Sequence, residues 1–325
     1  MTRSVLMMTL ITVFLSIQVV VFEVKIADAT IDIYIRADGS IEPSYAPMQR
    51  DGDLYILTDN ISSIVIERNN MTLDGAHLTV QGSQNSGSEG IYIYRRSNVT
   101  IKNMNVKGFY HGIWLDSSSN SSIISSSIQA NRGKGIVLSA GSEHNSIVEN
   151  NITANGEEGI FLLEFSNYNS IVDNNITANN CGISLYLSLG NVVSGNNILS
   201  NNCGIRLQTC SNNFIYHNNF VSKTNQVYAV ESTNIWDNGY PSGGNYWSDY
   251  AGTDSHGGFS QNLIGGDDIG DLPYPIDMNN WDRFPLMTEY ILVISEFSPF
   301  LILPLLFAVT LSTVIVYRTN RGLCK

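Results

Sequence analysis

The feature that most constrains the fold of this chain is a glycine–isoleucine pair that recurs six times at nearly constant spacing. The glycines of these pairs are Gly90, Gly112, Gly135, Gly159, Gly182 and Gly204. A repeat of about 22–24 residues indicates a solenoid, in which each repeat forms one coil that buries its apolar side against the neighbouring coils.

The residues that follow each glycine decide which kind of solenoid is formed. An apolar residue stands one and three positions after every glycine, as in GIYIY (90–94) and GIFLL (159–163). This period of two predicts a β-strand, and Gly, Asn and Ser are too frequent for a helix. Two further apolar columns are assigned to Val99, Ile123, Ile147, Ile171, Val192 and Phe214, and to Met104, Ile128, Ile152, Ile176, Ile198 and Phe220. Three strands in each coil predict an all-β, right-handed parallel β-helix of seven or eight coils.

Asparagine recurs immediately before the third apolar column. The residues are Asn103, Asn151, Asn175, Asn197 and Asn219. Stacked in register, each side-chain amide can donate to the next, and Asn tolerates the left-handed backbone that a tight corner needs. We predict that these residues form a structural ladder at one corner of the coils.

Both ends of the chain carry membrane signals. Arg3, the uncharged stretch 5–22 and Ala27-Asp28-Ala29 predict a signal peptide over residues 1–29, with an uncleaved anchor as the alternative. The apolar run 297–317 is long enough for a transmembrane helix, which Pro299 and Pro304 would kink. The basic residues of the tail 318–325 place that tail in the cytoplasm and the body of the protein outside.

The body divides into two parts by composition. We expect the β-helix with its N-terminal cap over 30–233, a Gly-, Asp- and aromatic-rich C-terminal cap over 234–288, and a stem over 289–296. The net charge is −12 and the basic residues are scattered, which excludes a nucleic-acid partner. The body has three cysteines, an odd number, so it is not built on a disulfide framework.

The coils and the cap resemble a known family. The Gly-Ile and Asn-Asn-Ile coils are similar to NosD-type β-helix proteins, a branch of the carbohydrate-binding and sugar-hydrolase repeat group. GGNYWSDY (243–250), IGDLPYPID (269–277) and DRFPLM (282–287) resemble the cap of archaeal surface proteins of this type. The resemblance implies an exported β-helix, in a family whose best-named member is a periplasmic factor for copper-site assembly.

Two metals come into question. Relatives often carry an alternating Asp-x-Asp-Gly-Asp-Gly stretch, whereas this chain has LIGGDDIGD (263–271). Asp267, Asp268, Asp271 and Asp277 supply oxygen ligands for calcium, or else they cap turns. Copper needs clustered Met, His or Cys, and the sequence shows only Cys181 and Cys203 at one repeat position, where they stack.

Two acidic residues are the candidates for catalysis. Glu149 and Asp173 occupy equivalent positions in consecutive coils, so their carboxylates should lie about one coil apart. A polysaccharide hydrolase or lyase acting through them is one hypothesis. The other interpretation is that both carboxylates are solvated side chains at an exposed turn.

The remaining candidate site is the outer face of the Gly-Ile strands. Residues two and four positions after each glycine point away from the core, and several are aromatic. The predicted carbohydrate-binding residues are Tyr92, Tyr94, Trp114, Asp116, Phe161 and Tyr186. The alternative is that a loop or the cap covers this stripe.

Six sequons are consistent with an exported surface. They begin at Asn60, Asn70, Asn98, Asn120, Asn151 and Asn175. The sequence therefore predicts a membrane-anchored, extracytoplasmic β-helix that binds surface polysaccharide or glycoprotein without catalysis. A structural component of a surface layer and a copper-handling factor are the further alternatives.

Overall fold

The computed structural model describes residues 32–83 and 87–291. The predicted signal peptide, transmembrane helix and cytoplasmic tail, and all of the stem beyond residue 291, lie outside these residues. Over the described ranges there is no helix with the length and hydrophobicity to cross a bilayer. The regular structure there consists of strands.

Three long sheets wind around one core, and successive strands of the chain visit them in turn. Sheet 1 contains, in spatial order, β2 (Ile41–Glu42), β1 (Ile33–Ile35), β5 (Ile64–Ile66), β8 (Glu89–Tyr94), β11 (His111–Asp116), β14 (Ile136–Ser139), β17 (Glu158–Leu163), β20 (Cys181–Tyr186), β23 (Cys203–Gln208) and β26 (Asn225–Val230).

Sheets 2 and 3 complete each coil. Sheet 2 contains β27 (Thr233–Ile235), β24 (Ser211–Tyr216), β21 (Val192–Ser194), β18 (Ser170–Val172), β15 (Ser146–Val148), β12 (Ser122–Ile124), β9 (Val99–Lys102), β6 (Met71–Asp74), β4 (Leu54–Leu57) and β3 (Met48–Asp51). Sheet 3 contains β28 (Tyr246–Trp247), β25 (Asn219–Val221), β22 (Asn197–Leu199), β19 (Asn175–Thr177), β16 (Asn151–Thr153), β13 (Ser127–Gln129), β10 (Asn105–Lys107) and β7 (Thr79–Gln81). The strands pair in parallel except β1 with β2 and β3 with β4, which confirms a parallel β-helix of about eight coils.

Two of the three predicted apolar columns need correction in the coil that contains β9 and β10. Ile101, not Val99, pairs with Ile123, and Val106, not Met104, pairs with Ile128. All of these side chains are buried, so the choice depends on turn lengths that a single sequence does not specify. In later coils Val193 and Ile215 replace the predicted Val192 and Phe214, and Phe214 is exposed.

The glycine row is explained by contacts inside the coil. A β-carbon on Gly182 would lie 2.7 Å from the carbonyl oxygen of Gly204 and 2.8 Å from Cγ2 of Ile198. Every glycine of the six repeated pairs faces the same obstruction, a backbone oxygen of the next coil within 2.7 Å. Only a residue without a side chain lets the chain turn from sheet 3 into sheet 1 so close to its neighbour.

We expect Gly182→Ala to lower the free energy of unfolding by about 1–3 kcal/mol, because the added methyl group overpacks the core. Urea unfolding followed by circular dichroism measures this change. Ser184→Ala, which removes one hydroxyl from the same strand, is the matched control and should change stability by less than about 1 kcal/mol. Equal stability of the two variants would contradict this account of the glycine row.

The asparagine ladder exists, but it lies one residue before the predicted one. Asn150, Asn174, Asn196 and Asn218 are buried at the corner between sheets 2 and 3. The side-chain oxygen of each of the last three accepts both the backbone N–H and the side-chain N–H of the preceding member. Two further buried ladders occupy the other corners: Asn145, Asn169, Asn191, Asn213 and Asn234, and Asn131, Asn155, Asn179 and Asn201.

Of the predicted ladder residues, Asn151, Asn175 and Asn197 are exposed at the corner between sheets 2 and 3, whereas Asn219 is buried and also bonds to the backbone of Tyr290. Asn175 donates to Asn151 and Asn219 donates to Asn197, so they bond in pairs at the start of the strands of sheet 3. Asn103 was placed wrongly, since Asn105 is the residue in register with Ser127 and Asn151. The left-handed backbone of this corner lies two residues before each strand of sheet 3. The residues that adopt it include Asn103, Glu149 and Asp173.

The C-terminal cap continues the last coil before it leaves the helix. Strands β27 and β28 still pair with sheets 2 and 3, and two hairpins follow, β29 (His256–Gly257) with β30 (Leu263–Ile264) and β31 (Tyr274–Asp277) with β32 (Asn280–Asp282). Asn245 extends the first ladder by accepting the N–H groups of Asn218. Asn280 and Asp282 then end two of the buried ladders by accepting the backbone N–H groups of Asn234 and Asn245. The cap therefore closes the open end of the core with polar groups that match the ladders.

Candidate functional site

The candidate site lies on the outer face of sheet 1, where β8 and β11 run side by side. Tyr92 is in register with Trp114, and Tyr94 is in register with Asp116. All four side chains are at least partly exposed, because the alternation of the strands turns the isoleucines and Leu115 inward. The structure thus brings together four of the six residues that were predicted to bind carbohydrate.

Five aromatic rings form a continuous surface there, which we call the aromatic cluster: Tyr94, Tyr92, Trp114, His111 and Tyr110. The ring centroids are 6.4 Å apart for Tyr94 and Tyr92, and 5.6 Å apart for Tyr92 and Trp114. Trp114 and His111 are 5.6 Å apart, and His111 and Tyr110 are 4.5 Å apart. Because each ring contacts the next, their orientations are mutually fixed.

Hydrogen bonds hold the polar atoms of the cluster. The hydroxyl of Tyr92 donates to Oδ2 of Asp116 over 3.1 Å, and Nε1 of Trp114 donates to Oγ of Ser139 over 2.7 Å. Burial and the nearby negative charge of Asp116 raise the pKa of Tyr92 to about 12, so its hydroxyl keeps its proton. The rings are therefore presented in a preformed arrangement.

His111 contributes an uncharged imidazole. Its Nδ1 accepts the backbone N–H of Lys134 over 3.3 Å, so the proton of the neutral ring belongs on Nε2. Burial, and then the positive charge of Lys134, lower the pKa of His111 to about 4. At neutral pH this side chain is a hydrogen-bond donor without charge.

An ion-pair cluster borders the rings toward the later coils. It consists of Lys134, Glu157, Glu158 and Arg206. The Lys134 ammonium contacts Glu157 and lies 3.5 Å from Oε2 of Glu158, and Arg206 lies 3.5 Å from Oε1 of Glu158. The hydroxyl of Tyr110 donates to Glu157 over 3.5 Å, which links the two clusters.

The other two predicted binding residues lie outside the aromatic cluster. Phe161 is separated from Trp114 by the buried Val137 in the same column, and the Lys134 ammonium lies 5.3 Å from its ring centroid. Tyr186 is in register with Leu163, and no ring contact joins it to the cluster within the described ranges. These two side chains lie on the outer face of sheet 1 but are not part of the aromatic cluster.

Sequence reasoning missed Tyr110, His111 and the ion-pair cluster. His111, Lys134 and Glu158 each stand immediately before a repeat glycine, and Tyr110 and Glu157 stand one residue earlier. The signal that could have found them is the polar column before the glycines. The period of two does not reveal this column, because the glycine position and the isoleucine after it both face the core.

Glu149 and Asp173 lie at the corner between sheets 2 and 3, apart from the aromatic face. Both residues have a left-handed backbone, with φ of 56° and 55°. Glu149 is exposed and accepts a hydrogen bond from Ser125, and burial followed by the charge of Glu149 raises the pKa of Asp173. The two carboxylates are therefore neighbours on adjacent coils, as the repeat predicts.

The acidic residues Asp267, Asp271 and Asp277 accept hydrogen bonds from backbone N–H groups of the cap. Asp267 accepts from the N–H groups of Gly258 and Ile269, Asp271 from those of Ser255 and His256, and Asp277 from that of Asn279. Asp268 is exposed and has its backbone in the left-handed region. Among residues 32–83 and 87–291, no group of three His, Cys, Asp or Glu side chains converges on a point where a metal ion would sit.

All six sequon asparagines are exposed: Asn60, Asn70, Asn98, Asn120, Asn151 and Asn175. Asn70, Asn98 and Asn120 have left-handed backbone, and the last two of the set begin strands of sheet 3. At these corners a glycan would project into solvent without disturbing the core. Their glycosylation stays a prediction.

Several solved structures resemble this chain. One is the periplasmic alginate epimerase AlgG (17% identity, 58% of this chain and 68% of that one, TM-score 0.44). Others are the A-module of the Azotobacter vinelandii mannuronan C-5 epimerase AlgE6 (14%, 54% and 59%, 0.40) and pectate lyase Pel9A (13%, 55% and 63%, 0.35). Comparison with curated proteins gave no match.

A match between the sequence and a family model shows which family the chain belongs to. The model of the family described as "Periplasmic copper-binding protein (NosD)" matches residues 49–252, well over half of the chain. This range spans the coils from β4 to β28 and the start of the cap. The protein belongs to the NosD family of right-handed parallel β-helix proteins.

Proposed function

We propose that this protein is a membrane-anchored, extracytoplasmic β-helix that binds surface carbohydrate on the outer face of sheet 1 and does not catalyse a reaction. The observation that carries the proposal is the aromatic cluster on β8 and β11. The rings present both faces and edges, with 66° between the planes of Tyr92 and Trp114 and 9° between those of Tyr92 and Tyr94. Aromatic surface bordered by fixed polar groups suits the apolar faces and hydroxyl rims of pyranose rings.

The geometry supports binding in a second way. Neighbouring coils repeat every ~4.8 Å along the helix axis, so the face offers a straight, rigid track for a linear chain of sugars. The backbone of this track is fixed by sheet hydrogen bonds, which lowers the entropy cost of binding. A predicted anchor at the C-terminal end would keep this track at the cell surface.

Trp114→Ala is expected to weaken retention on a glycan array by about tenfold or more, because a central aromatic side chain supplies a large share of an interface's binding energy. The matched control is Tyr228→Ala. Tyr228 lies in the same outward column, is more than half exposed, and belongs to β26, away from the aromatic cluster. Equal retention by wild type and Trp114→Ala would contradict the proposal.

Catalysis by the corner carboxylates is the second candidate, and the raised pKa of Asp173 beside Glu149 is the observation that favours it. A carboxyl group that holds its proton at higher pH is suited to act as a general acid. Release of soluble sugar by the wild type that disappears in Glu149→Gln/Asp173→Asn would establish an enzyme. It would overturn the non-catalytic proposal.

Copper does not fit the described residues. The thiols of Cys181 and Cys203 are in register on β20 and β23 and are both buried. They form only a pair, and within the described ranges no third His, Cys, Asp or Glu joins them in a metal-binding group.

A further inference from the structure

We propose that the aromatic face selects uncharged pyranoses and rejects uronates, the sugars whose C6 is a carboxylate. This inference rests on the proposed function and names the class of sugar that the same site takes. It follows from the charges that surround the aromatic cluster.

Carboxylates border the cluster on three sides. Glu89 is in register with His111 on the neighbouring strand, and Asp116 accepts the Tyr92 hydroxyl at the other end of the strands. Glu157 accepts the hydroxyl of Tyr110. A sugar carboxylate lying on the rings would meet a like charge in each of these directions, which is unfavourable in a partly desolvated site.

The two cations of the ion-pair cluster are already engaged. Lys134 is shared between Glu157 and Glu158, and Arg206 is paired with Glu158. Glu158 thus has a cation 3.5 Å from each of its carboxylate oxygens, so both cations are used within the protein. The guanidinium of Arg95 lies 4.9 Å from the ring centroid of Tyr94, at the outer edge of the cluster.

The groups that remain for a ligand are suited to hydroxyls. The imidazole of His111 is neutral and donates through Nε2, and the carboxylates of Glu89 and Asp116 can accept from sugar O–H groups. Hydrogen bonds from an uncharged donor to a carboxylate are among the stronger ones. The site therefore has acceptors for neutral sugars but, within the described ranges, lacks an unpaired cation for a uronate near its centre.

The test uses pairs of β-1,4-linked hexasaccharides that differ only at C6: cellohexaose and oligoglucuronate, and mannohexaose and oligomannuronate. Binding to the full-length protein in detergent is measured by calorimetry at 20 and 150 mM NaCl. The neutral member of whichever pair binds should bind at least about tenfold more tightly, and the difference should be larger at low salt.

The variant Glu157→Gln should reduce the ratio of the affinities for the neutral and the uronate hexasaccharide several-fold, because it removes one of the repelling charges. Glu231→Gln, the same substitution at an exposed carboxylate immediately after β26, should leave the ratio unchanged. Equal or tighter binding of the uronate, with the aromatic cluster still required, would overturn the inference while leaving the proposed function intact. Failure of every hexasaccharide to bind would instead contradict the proposed function, and the inference with it.

Discussion

Asn174→Ala is expected to lower the free energy of unfolding by about 3 kcal/mol or more, because it interrupts a buried ladder. The side-chain oxygen of Asn174 accepts two N–H groups of Asn150, over 2.9 and 3.0 Å. Its amide nitrogen donates to the carbonyl oxygens of Ile147 and Val172 and to Oδ1 of Asn196. Alanine leaves several of these groups buried without a partner, at about 1–3 kcal/mol for each.

The neighbouring residue provides a matched control. Asn175 is exposed, and its side chain makes one hydrogen bond, to Asn151. Asn175→Ala should therefore cost less than about 1 kcal/mol. Urea unfolding of both variants, followed by circular dichroism, measures the difference. Similar midpoints for the two variants would show that the buried ladder contributes little to stability.

This pair of residues also shows what the sequence could predict and what it could not. The nearly constant repeat period and the alternation after each glycine predict the coils and the solenoid. The Asn-Asn pairs indicate a ladder, but which of the two asparagines is buried depends on the rotation of the chain at the corner. That rotation depends on left-handed residues such as Glu149, whose residue type does not indicate this backbone.

The residues of the candidate site were also only partly predictable from the sequence. Tyr92, Tyr94, Trp114 and Asp116 were predictable because they stand at outward positions within regular strands. His111 was not, since it precedes the glycine that interrupts the alternation. The ion pairs of Lys134 join side chains of different coils, so they depend on the register between coils, which the repeat period specifies only approximately.

Asp282→Ala is expected to detach the C-terminal cap from the last coil. The carboxyl group of Asp282 is buried and accepts the backbone N–H of Asn245 over 2.7 Å, that of Phe284 over 3.1 Å, and Nε1 of Trp247 over 2.9 Å. Three buried donors lose their acceptor in the variant, so the loss should be about 3 kcal/mol or more. Faster hydrogen exchange at residues 236–250 and 280–286 would report the detachment, and Asp51→Ala, a surface carboxylate on β3, is the control.

Stability of this junction should also depend on pH, with a sign fixed by burial. Burial raises the pKa of Asp282 from 3.8 to about 7, against the lowering effect of its N–H donors, and Asp237 adds a negative charge nearby. The folded cap therefore holds a proton that the unfolded chain releases above pH 4. Its contribution to stability is fully present below pH 4 and is lost as the pH rises through 7, by up to about 4 kcal/mol.

Thermal unfolding of the wild type between pH 4.5 and 8.5, followed by the fluorescence of the buried Trp236 and Trp247, measures this dependence. The transition should move to lower temperature as the pH rises, and the movement should largely disappear in Asp282→Ala. A transition that moves to higher temperature over the same range would mean that the three N–H donors outweigh burial and keep Asp282 ionised. The carboxylate would then close the ladder as an anion, and the junction would weaken in acid instead.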